Sequence, residues 1–383
     1  MSDLPASADV VVVGGGVIGT SVAFHLAEAG VGVCLLERDQ LAGGSTSRAA
    51  GGVRAQFSDP LNIAIGRRSI EAFERFGERP GVEIDLHQVG YLFLLDRAED
   101  VAAFEASVAL QNELGVPSRF VPLEEIEVLS PLAALDGVLA ATFCPIDGHA
   151  SPEAVTQGYA AGVRAHGGGV VTGCAVSGVG LDGDAVVGVQ TSLGRIATDT
   201  VVCAAGVWSP ELAWTVGVEL PVQPYLREVG FTGPTADLPA RFPLTIDFST
   251  GFYFHREGPG LLFGMADREQ PAGFDAPTNP SWLEQVMEVA ERRCPALLDM
   301  GIAGGWKGYY EITPDHNALV GEAAAPRRFL YATGFSGHGF LQGPAVGEIV
   351  RDLVLGRERF VDVAGLSAER FARAEARPER NVI

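Results

Sequence analysis

The sequence predicts an α/β plus α+β fold, in which a Rossmann-type nucleotide-binding domain is interleaved with a second domain on a mixed, largely antiparallel sheet. Three observations predict it. A glycine-rich turn joins an apolar strand to a helix near the start, short strands broken by Gly and Pro fill the middle, and a second glycine-rich junction precedes the last long helix. A chain of 383 residues also exceeds one ordinary compact core, so two domains are expected.

Composition and charge exclude several classes of function. The formal net charge of −21 would repel phosphate backbones and anionic lipids, which argues against nucleic acids and membranes as partners. We find no basic leader and no apolar run of about 18 residues, and therefore expect a cytoplasmic protein without a membrane span. The five cysteines form no C-x-x-C pair, which indicates buried reduced thiols rather than disulfides or a metal site.

The first βαβ unit carries a nucleotide-binding motif. An apolar strand leads into GGGVIG, a helix follows, and a second strand ends at an acidic residue. Glycines in such a turn let the backbone approach a pyrophosphate at the helix N-terminus, and a carboxylate about 18 residues further on can accept both ribose hydroxyls. The acid would repel a 2′-phosphate, so the arginine after it does not indicate NADP. The cofactor-binding residues predicted here are Gly14, Gly16, Val17, Ile18, Gly19, Glu37 and Arg38.

Three further segments rich in small residues are predicted to line the same ligand. LAGGSTSRAAGGVR can lie flat beside a planar ligand, TVVCAAGVWS can back onto a nucleotide, and YATGFSGHGFLQG offers backbone N–H groups at a helix start. Such N–H groups can hold the pyrimidine side of a flavin and stabilise its reduced anion. The residues predicted from these segments and their neighbours are Ser45, Thr46, Ser47, Arg48, Ala49, Gly51, Gly52, Val176, Ala204, Ala205, Gly206, Trp208, Gly308, Gly334, Gly337, His338, Gly339, Phe340 and Leu341.

Together with YEITPDHNALVG, these segments resemble the D-amino-acid-oxidase superfamily of flavoproteins, in particular its sarcosine oxidase, glycine oxidase and dimethylglycine dehydrogenase branch. The resemblance spans nearly the whole chain. It implies an FAD-binding domain of residues 1–87, 142–220 and 312–383 and a substrate domain of residues 88–141 and 221–311. It also implies hydride transfer from a glycine-type amino acid or N-substituted glycine to the flavin. The resulting imine would hydrolyse to an amine and an oxo acid or aldehyde.

The sequence departs from these relatives at positions that bind flavin or substrate. Their cysteine and histidine attachment positions correspond to Gly308 and Arg48, so the FAD is expected to be non-covalent. Their carboxylate-binding lysine corresponds to Leu341, which favours an N-substituent larger than methyl. The only lysine, Lys307, is predicted to face away from the flavin, because side chains alternate along a strand and Gly308 is matched to the flavin face.

Five residues are predicted to act on the substrate. Arg54 is the first candidate for binding the substrate carboxylate, with Tyr253, Arg256 and Tyr310 as secondary candidates. His338 is expected beside the flavin edge, where it either acts on the flavin or a proton or makes a structural hydrogen bond.

Direct hydride transfer needs only a neutral amine, so an apolar site formed by Phe254, Tyr310, Phe340 and Leu341 would suffice. Oxygen activation is expected from Arg54, His255 or His338.

Three functions stay open at this point. The favoured one is an oxidase that reduces O2 to H2O2. The second is a dehydrogenase of the proline or dimethylglycine type, which passes electrons to a partner, and the third is a non-catalytic FAD-binding assembly factor. Both a monomer and a homo-oligomer are compatible with the sequence, and the tail after Arg370 is predicted to be polar and frayed.

Overall fold

Two large sheets carry the fold, which a computed structural model describes for residues 4–236 and 238–382. The strands are β1 Val10–Val13, β2 Val33–Leu36, β3 Gly52–Val53, β4 Tyr91–Leu95, β5 Arg119–Val121, β6 Ala140–Cys144, β7 Gly148–His149, β8 Gly169–Val171, β9 Val176–Asp182, β10 Ala185–Thr191, β11 Gly194–Ile196, β12 Val201–Cys203, β13 Gln223–Thr232, β14 Leu244–Asp247, β15 Phe252–Glu257, β16 Gly260–Gly264, β17 Ile302–Ile312, β18 Leu319–Glu322 and β19 Phe329–Thr333. The helices are α1 Val17–Glu28, α2 Pro60–Glu74, α3 Ala98–Glu113, α4 Leu123–Leu129, α5 Pro152–Ala165, α6 Ser209–Trp214, α7 Trp282–Arg293 and α8 Gly339–Leu355.

The first sheet has the order β18-β19-β12-β1-β2-β8, and its β19-β12-β1-β2-β8 neighbours pair in parallel. All four valines of β1 are buried, as expected for a central parallel strand covered on both faces. α1 packs against α5 and α8 on one of those faces. The valine run and the glycine-rich turn thus produce the predicted Rossmann-type unit, with the N-terminus of α1 at the carboxyl end of β1.

The second sheet has the order β17-β13-β16-β15-β14-β4-β6-β5. Its neighbours pair antiparallel except β14 and β4, which confirms the predicted mixed, largely antiparallel sheet. Alternation along β15 separates its two faces. Phe252 and Phe254 pack into a cluster with Trp282 of α7, whereas Tyr253 points to the opposite face. The expectation that Phe254 lines the substrate site is therefore corrected.

The predicted domain division stays a proposal, with one adjustment. The boundary between residues 141 and 142 falls inside β6, which pairs with β4 and β5 in the second sheet. Residues 1–3 and 383 of the outer ranges lie outside the described part of the chain.

Two other local expectations differ from the structure. Proline favours the first turn of a helix, which predicts a start of the last long helix at about Pro344, but α8 begins at Gly339 and carries Pro344 inside it. The tail after Arg370 was expected to fray, but Glu379 and Asn381 are only 3% and 2% exposed. Neither residue is apolar, so hydropathy gave no signal of this burial; its cause is a set of long-range hydrogen bonds.

Candidate active site

A cavity of about 580 Å³ is lined by segments of both large sheets, and its size is in the range of cofactor sites. Most of the predicted site residues lie on its wall. These are Gly14, Gly16, Val17, Ile18, Glu37, Arg38, Ser45, Thr46, Arg48, Ala49, Gly51, Gly52, Arg54, Val176, Ala204, Ala205, Gly206, Trp208, Tyr253, Gly308, Tyr310, Gly337, His338, Gly339, Phe340 and Leu341. The structure does not bring Gly19, Ser47, Gly334 or Arg256 to this wall.

The nucleotide end is built around the N-terminus of α1. Glu37 accepts hydrogen bonds from the Gly15 N–H at 2.6 Å and the Asp39 N–H at 2.8 Å, which fixes the carboxylate at the rim. Each carboxylate oxygen has a second lone pair for a ribose hydroxyl. A Cβ at Gly19 would lie 1.9 Å from the carbonyl oxygen of Gly14, so Gly19 acts by close packing and not by ligand contact.

Arg38 and Trp208 form one side of this end. The Arg38 guanidinium lies 4.2 Å from the centre of the Trp208 ring, which also stacks on Phe274 at 5.7 Å. Arg38 pairs with Asp39 at 3.0 Å and is about half exposed. The arginine is thus in contact with an aromatic ring and paired with a carboxylate.

A second helix start opens on the same cavity. α8 begins at Gly339 without a side-chain cap and without an acidic residue in its first turn. Gly337 has φ +94°, and a Cβ there would lie 2.4 Å from the Tyr310 ring. Two helix N-termini and this glycine cradle therefore fit a dinucleotide that brings both a pyrophosphate and an electron-poor planar ring.

Glu311 connects Gly334, which does not line the cavity, to the cavity wall. Its carboxylate lines the cavity and accepts the Gly334 N–H at 3.0 Å and the Thr333 hydroxyl at 2.9 Å. Burial raises the pKa of this carboxyl. Gly334 thus supports the site indirectly, by holding an acid that the sequence analysis did not single out.

The two flavin-attachment positions of the relatives lie against each other. A Cβ at Gly308 would lie 2.7 Å from the Cβ of Arg48. The Arg48 guanidinium donates to the carbonyls of Gly43 and Gly44 at 2.5 and 2.7 Å. Neither residue offers the nucleophilic side chain that a covalent link requires.

Arg54 lines the cavity, but its guanidinium is hydrogen-bonded to other groups of the chain. It is 2% exposed, and it donates to the carbonyls of Gln56 and Asn381, each at 2.7 Å, and to Nε2 of His338 at 3.1 Å. Because arginine can only donate, Nε2 of His338 accepts and its proton is on Nδ1. Burial and then the Arg54 charge hold the pKa of His338 well below its usual range.

Arg227 is the cation that sequence reasoning missed. It is on β13 opposite Gly308 and lines the cavity, 5.5 Å from the centre of the Tyr310 ring. Its Nη1 donates to the Leu226 carbonyl at 3.0 Å, but its buried Nε has no hydrogen-bond partner among the described residues. The available signal was an arginine in the middle of a predicted strand, between Leu226 and Glu228.

Three tyrosine side chains lie in the part of the cavity near Arg54 and Arg227, where the substrate is expected to bind; we call it the substrate end. Tyr91, Tyr253 and Tyr310 all line the cavity, and burial raises the pKa of each phenol. Tyr91 was not predicted. A Cβ at Gly52 would lie 1.8 Å from its hydroxyl oxygen, so Tyr91 needs a glycine at that position.

Three basic residues considered from the sequence lie elsewhere. Arg256 donates to the carbonyls of Leu238 and Pro239 at 3.3 and 3.0 Å. His255 is fully buried away from the cavity wall. Lys307 pairs with Glu228 at 2.9 Å and is not on the cavity wall, in line with the predicted strand register.

The five cysteines are buried and free. Within residues 4–236 and 238–382, no cluster of His, Cys, Asp and Glu could hold a metal ion. Over the same residues, no helix combines the length and apolar character that crossing a membrane requires.

The chain is similar in sequence to known flavin-dependent proteins. A family model described as FAD dependent oxidoreductase matches residues 9–353. Mitochondrial dimethylglycine dehydrogenase of Mus musculus is 29% identical over 387 residues, which cover 96% of this chain and 44% of that protein. The chain thus spans less than half the length of this curated relative.

Two solved structures extend the likeness to the fold. L-proline dehydrogenase from P. horikoshii has a TM-score of 0.93 and 32% identity, over 98% of this chain and 100% of that one. Glycine oxidase from Geobacillus kaustophilus has a TM-score of 0.85 and 25% identity, over 95% of this chain and 99% of that one.

Proposed function

The chain belongs to the FAD dependent oxidoreductase family, and from that premise we propose that it oxidises the C–N bond of a small amino acid with a substituted amine, such as an N-substituted glycine. The observation that carries this proposal is the half-buried Arg227 side chain on the cavity wall, whose buried Nε has no hydrogen-bond partner in the described part of the chain. A buried N–H group of a cation is costly unless an acceptor pairs with it, and a substrate carboxylate would be that acceptor.

The carboxylate would lie between two arginines. Arg227 can offer parallel N–H donors to both carboxylate oxygens, which is the strong geometry for this pair. Arg54 adds a second positive charge on the cavity wall, although its donors are largely taken by the Gln56 and Asn381 carbonyls and by His338. Tyr310 interacts electrostatically with both guanidinium groups, and its ring would orient the bound molecule.

The amine would react in its neutral form. Phe340, Leu341 and Tyr310 present apolar surface at this end, and an apolar surrounding lowers the pKa of an ammonium group. His338 is a poor general base because its Nε2 already accepts from Arg54. When bound, FAD supplies the two-electron acceptor, so the chain itself has to bind and orient the substrate and exclude water.

We propose O2 as the final acceptor, because the charges of Arg54 and Arg227 would favour an anion formed from oxygen near the flavin site. The second candidate is a dehydrogenase that passes electrons to a partner. The likeness to L-proline dehydrogenase over 98% of this chain favours it, with proline as the substrate. A non-catalytic assembly factor would have no use for the unpaired Nε of Arg227 on the cavity wall.

Anaerobic titration of the FAD-loaded protein tests the proposal. The panel is sarcosine, N-ethylglycine, dimethylglycine, L-proline, glycine and D-alanine, with ethylamine as the control that lacks a carboxylate. We expect N-substituted glycines to bleach the flavin absorbance and ethylamine to leave it unchanged. Bleaching by proline alone would favour the second candidate, and bleaching by no member of the panel would refute the proposal.

The same samples define the acceptor and the flavin linkage. Readmission of air should release H2O2 in proportion to the bleached flavin if O2 is the acceptor. Slow reoxidation in air together with fast reoxidation by an electron-accepting dye would identify a dehydrogenase.

After acid precipitation the yellow colour should stay in the supernatant, since neither Gly308 nor Arg48 can attach the flavin. A coloured, washed pellet would contradict this.

A further inference from the structure

The polar C-terminal segment reaches the substrate end of the cavity through hydrogen bonds. We propose that Arg377–Asn381 is a positioning strap that holds Arg54 and, through it, His338 at the cavity wall. The proposal deepens the proposed function and rests on it, because Arg54 and His338 matter for substrate only if the substrate binds between them and the flavin. The strap itself does not line the cavity.

Glu379 anchors the strap to the start of α2. Its carboxylate accepts from the backbone N–H of Ser58 at 2.8 Å and of Asp59 at 3.1 Å, from the Ser58 hydroxyl at 2.6 Å and from the Asn62 amide at 2.8 Å. It also accepts the N–H of Asn381 at 2.9 Å, which fixes the strap's own backbone. Charge-assisted hydrogen bonds of this kind are stronger than neutral ones, so the strap has a defined position at Glu379.

A second anchor ties the strap to the loop that follows β17. Asp315 accepts the N–H of Arg377 at 3.2 Å, and its carbonyl accepts the N–H of Glu379 at 3.0 Å. Arg370, which is 1% exposed, in turn binds the Asp315 carboxylate with two hydrogen bonds of 2.8 Å. The strap thus bridges two loops far apart in sequence.

The contact that matters for the cavity is made by a backbone carbonyl. The Asn381 carbonyl accepts from Nη2 of Arg54 at 2.7 Å, and the same Nη2 donates to Nε2 of His338 at 3.1 Å. Without the carbonyl, His338 is the only one of these two acceptors left to Nη2, and the guanidinium is held elsewhere only by the bond from Nη1 to the Gln56 carbonyl, so its position against His338 is less well fixed. The groups whose charges act on His338 are Arg54 and His316, and both disfavour its protonation.

A deletion and a matched substitution separate this role from simple packing. Deletion of residues 381–383 removes the carbonyl, whereas Asn381→Ala keeps it and removes only the side chain, whose amide is 3.5 Å from the Gln56 carbonyl. The probe is propanoate, an unreactive carboxylate, titrated into FAD-loaded protein and followed by the change in flavin absorbance. We expect the deletion to raise its Kd at least tenfold and Asn381→Ala to change it less than about twofold.

A second measurement is the pH dependence of the flavin spectrum without ligand. A loss of packing alone would not change this pH dependence. Burial is the largest cause that lowers the pKa of His338 and the Arg54 charge is the next, so loss of the Arg54 contact should raise this pKa and shift the titration of the deletion's flavin spectrum to higher pH than in wild type. A deletion with a lower Tm but with wild-type Kd and pH dependence would overturn the proposal. If the deletion does not fold, Glu379→Gln keeps the backbone and should shift both readouts the same way; wild-type values there would overturn it equally.

The outcome for the strap is distinguishable from that for the proposed function. If no amino acid bleaches the flavin and propanoate does not bind wild type, the proposed function fails. The strap is still tested in that case by the pH titration of the ligand-free spectrum.

Discussion

At the scale of single residues, Arg227 carries most of the chemistry that we assign to this cavity. Its environment is aromatic, with the Tyr225 and Tyr310 rings at 5.6 and 5.5 Å, and burial lowers the pKa of the guanidinium. Ring faces stabilise a cation only modestly, so the buried Nε still lacks a hydrogen-bond acceptor, and an anionic acceptor would stabilise it most. In the proposed function, a ligand carboxylate would be that acceptor.

Arg227→Met should therefore raise the KM for the amino acid by about 10- to 100-fold, because hydrogen bonds to charged groups contribute about 1.5–3 kcal/mol. FAD content should stay unchanged. The control is Arg256→Met, since Arg256 contacts the carbonyls of Leu238 and Pro239 outside the cavity wall. Steady-state kinetics with both variants give the comparison. Equal KM values for Arg227→Met and wild type would show that the carboxylate binds elsewhere, with Arg54 next in line.

Lys307 should contribute little to the reaction with oxygen. Its ammonium pairs with Glu228 at 2.9 Å and is 42% exposed, away from the cavity wall. Lys307→Met should slow the reoxidation of reduced flavin by air less than tenfold, or less than about 1.4 kcal/mol of barrier. Stopped-flow mixing with oxygenated buffer measures this rate, with Glu228→Gln as the control that breaks the same ion pair. A hundredfold loss in Lys307→Met alone would contradict the strand register.

At the scale of elements, the junction between β19 and α8 shapes the cavity. Gly337 and Gly356 both have positive φ, at +94° and +63°, but they differ in their surroundings. A Cβ at Gly337 would meet the Tyr310 ring at 2.4 Å, whereas no heavy atom of the described residues lies within 4 Å of a Cβ at Gly356. The pair thus separates the cost of backbone strain from the cost of losing space.

Gly337→Ala should lower both FAD content and Tm, because it pushes Tyr310 or the α8 N-terminus out of place. Gly356→Ala carries only the strain of a left-handed residue, about 1 kcal/mol, and should keep wild-type FAD content. Flavin absorbance per protein and thermal unfolding of the two purified variants provide the test. Wild-type FAD content in Gly337→Ala would mean that the cradle tolerates the extra methyl group.

At the scale of the whole molecule, buried titratable groups make stability depend on pH. Burial is the largest cause that lowers the pKa of His25 to about 4 and that of His255 to about 4. These histidines stay neutral in the fold but gain protons on unfolding below their usual pKa of about 6.5. Their contribution is complete above that pH and is lost as the pH falls toward 4. Asp147 acts oppositely, because burial raises its pKa to about 7, so its contribution declines as the pH rises from about 4 to 7.

His25→Gln should remove one of the protons that the chain takes up on unfolding below pH 6.5. Between pH 6.5 and 4, the free energy of unfolding of the variant should fall less steeply than that of wild type, by up to about 1.4 kcal/mol per pH unit. Urea unfolding of FAD-loaded protein at pH 5, 6, 7 and 8 measures the slope. His166→Gln is the control, since His166 is exposed. Identical slopes for His25→Gln and wild type would contradict the assignment.

The sequence by itself determined the two-sheet fold, the family and most of the residues that line the cavity. Those features depend on local patterns: the valine run of β1 and the G-x-G-x-x-G turn act within a few residues of where they stand. The same local reasoning placed Lys307 away from the cavity, since alternation along a strand needs no knowledge of other strands. Local reasoning also indicated a polar tail after Arg370, which is correct for its composition but not for its burial.

Only the tertiary structure decided how the substrate end is built. Arg227 reaches the cavity because β13 pairs with β17, and Arg54 is held by Asn381, 327 residues further along the chain. Arg256, in a strand of similar character, turns to the carbonyls of Leu238 and Pro239 instead. A local pattern records which face of a strand a side chain occupies, but not which distant group meets it there. The pairing of strands and the return of the tail fix those partners, and through them the charge and hydrogen bonding of the cavity.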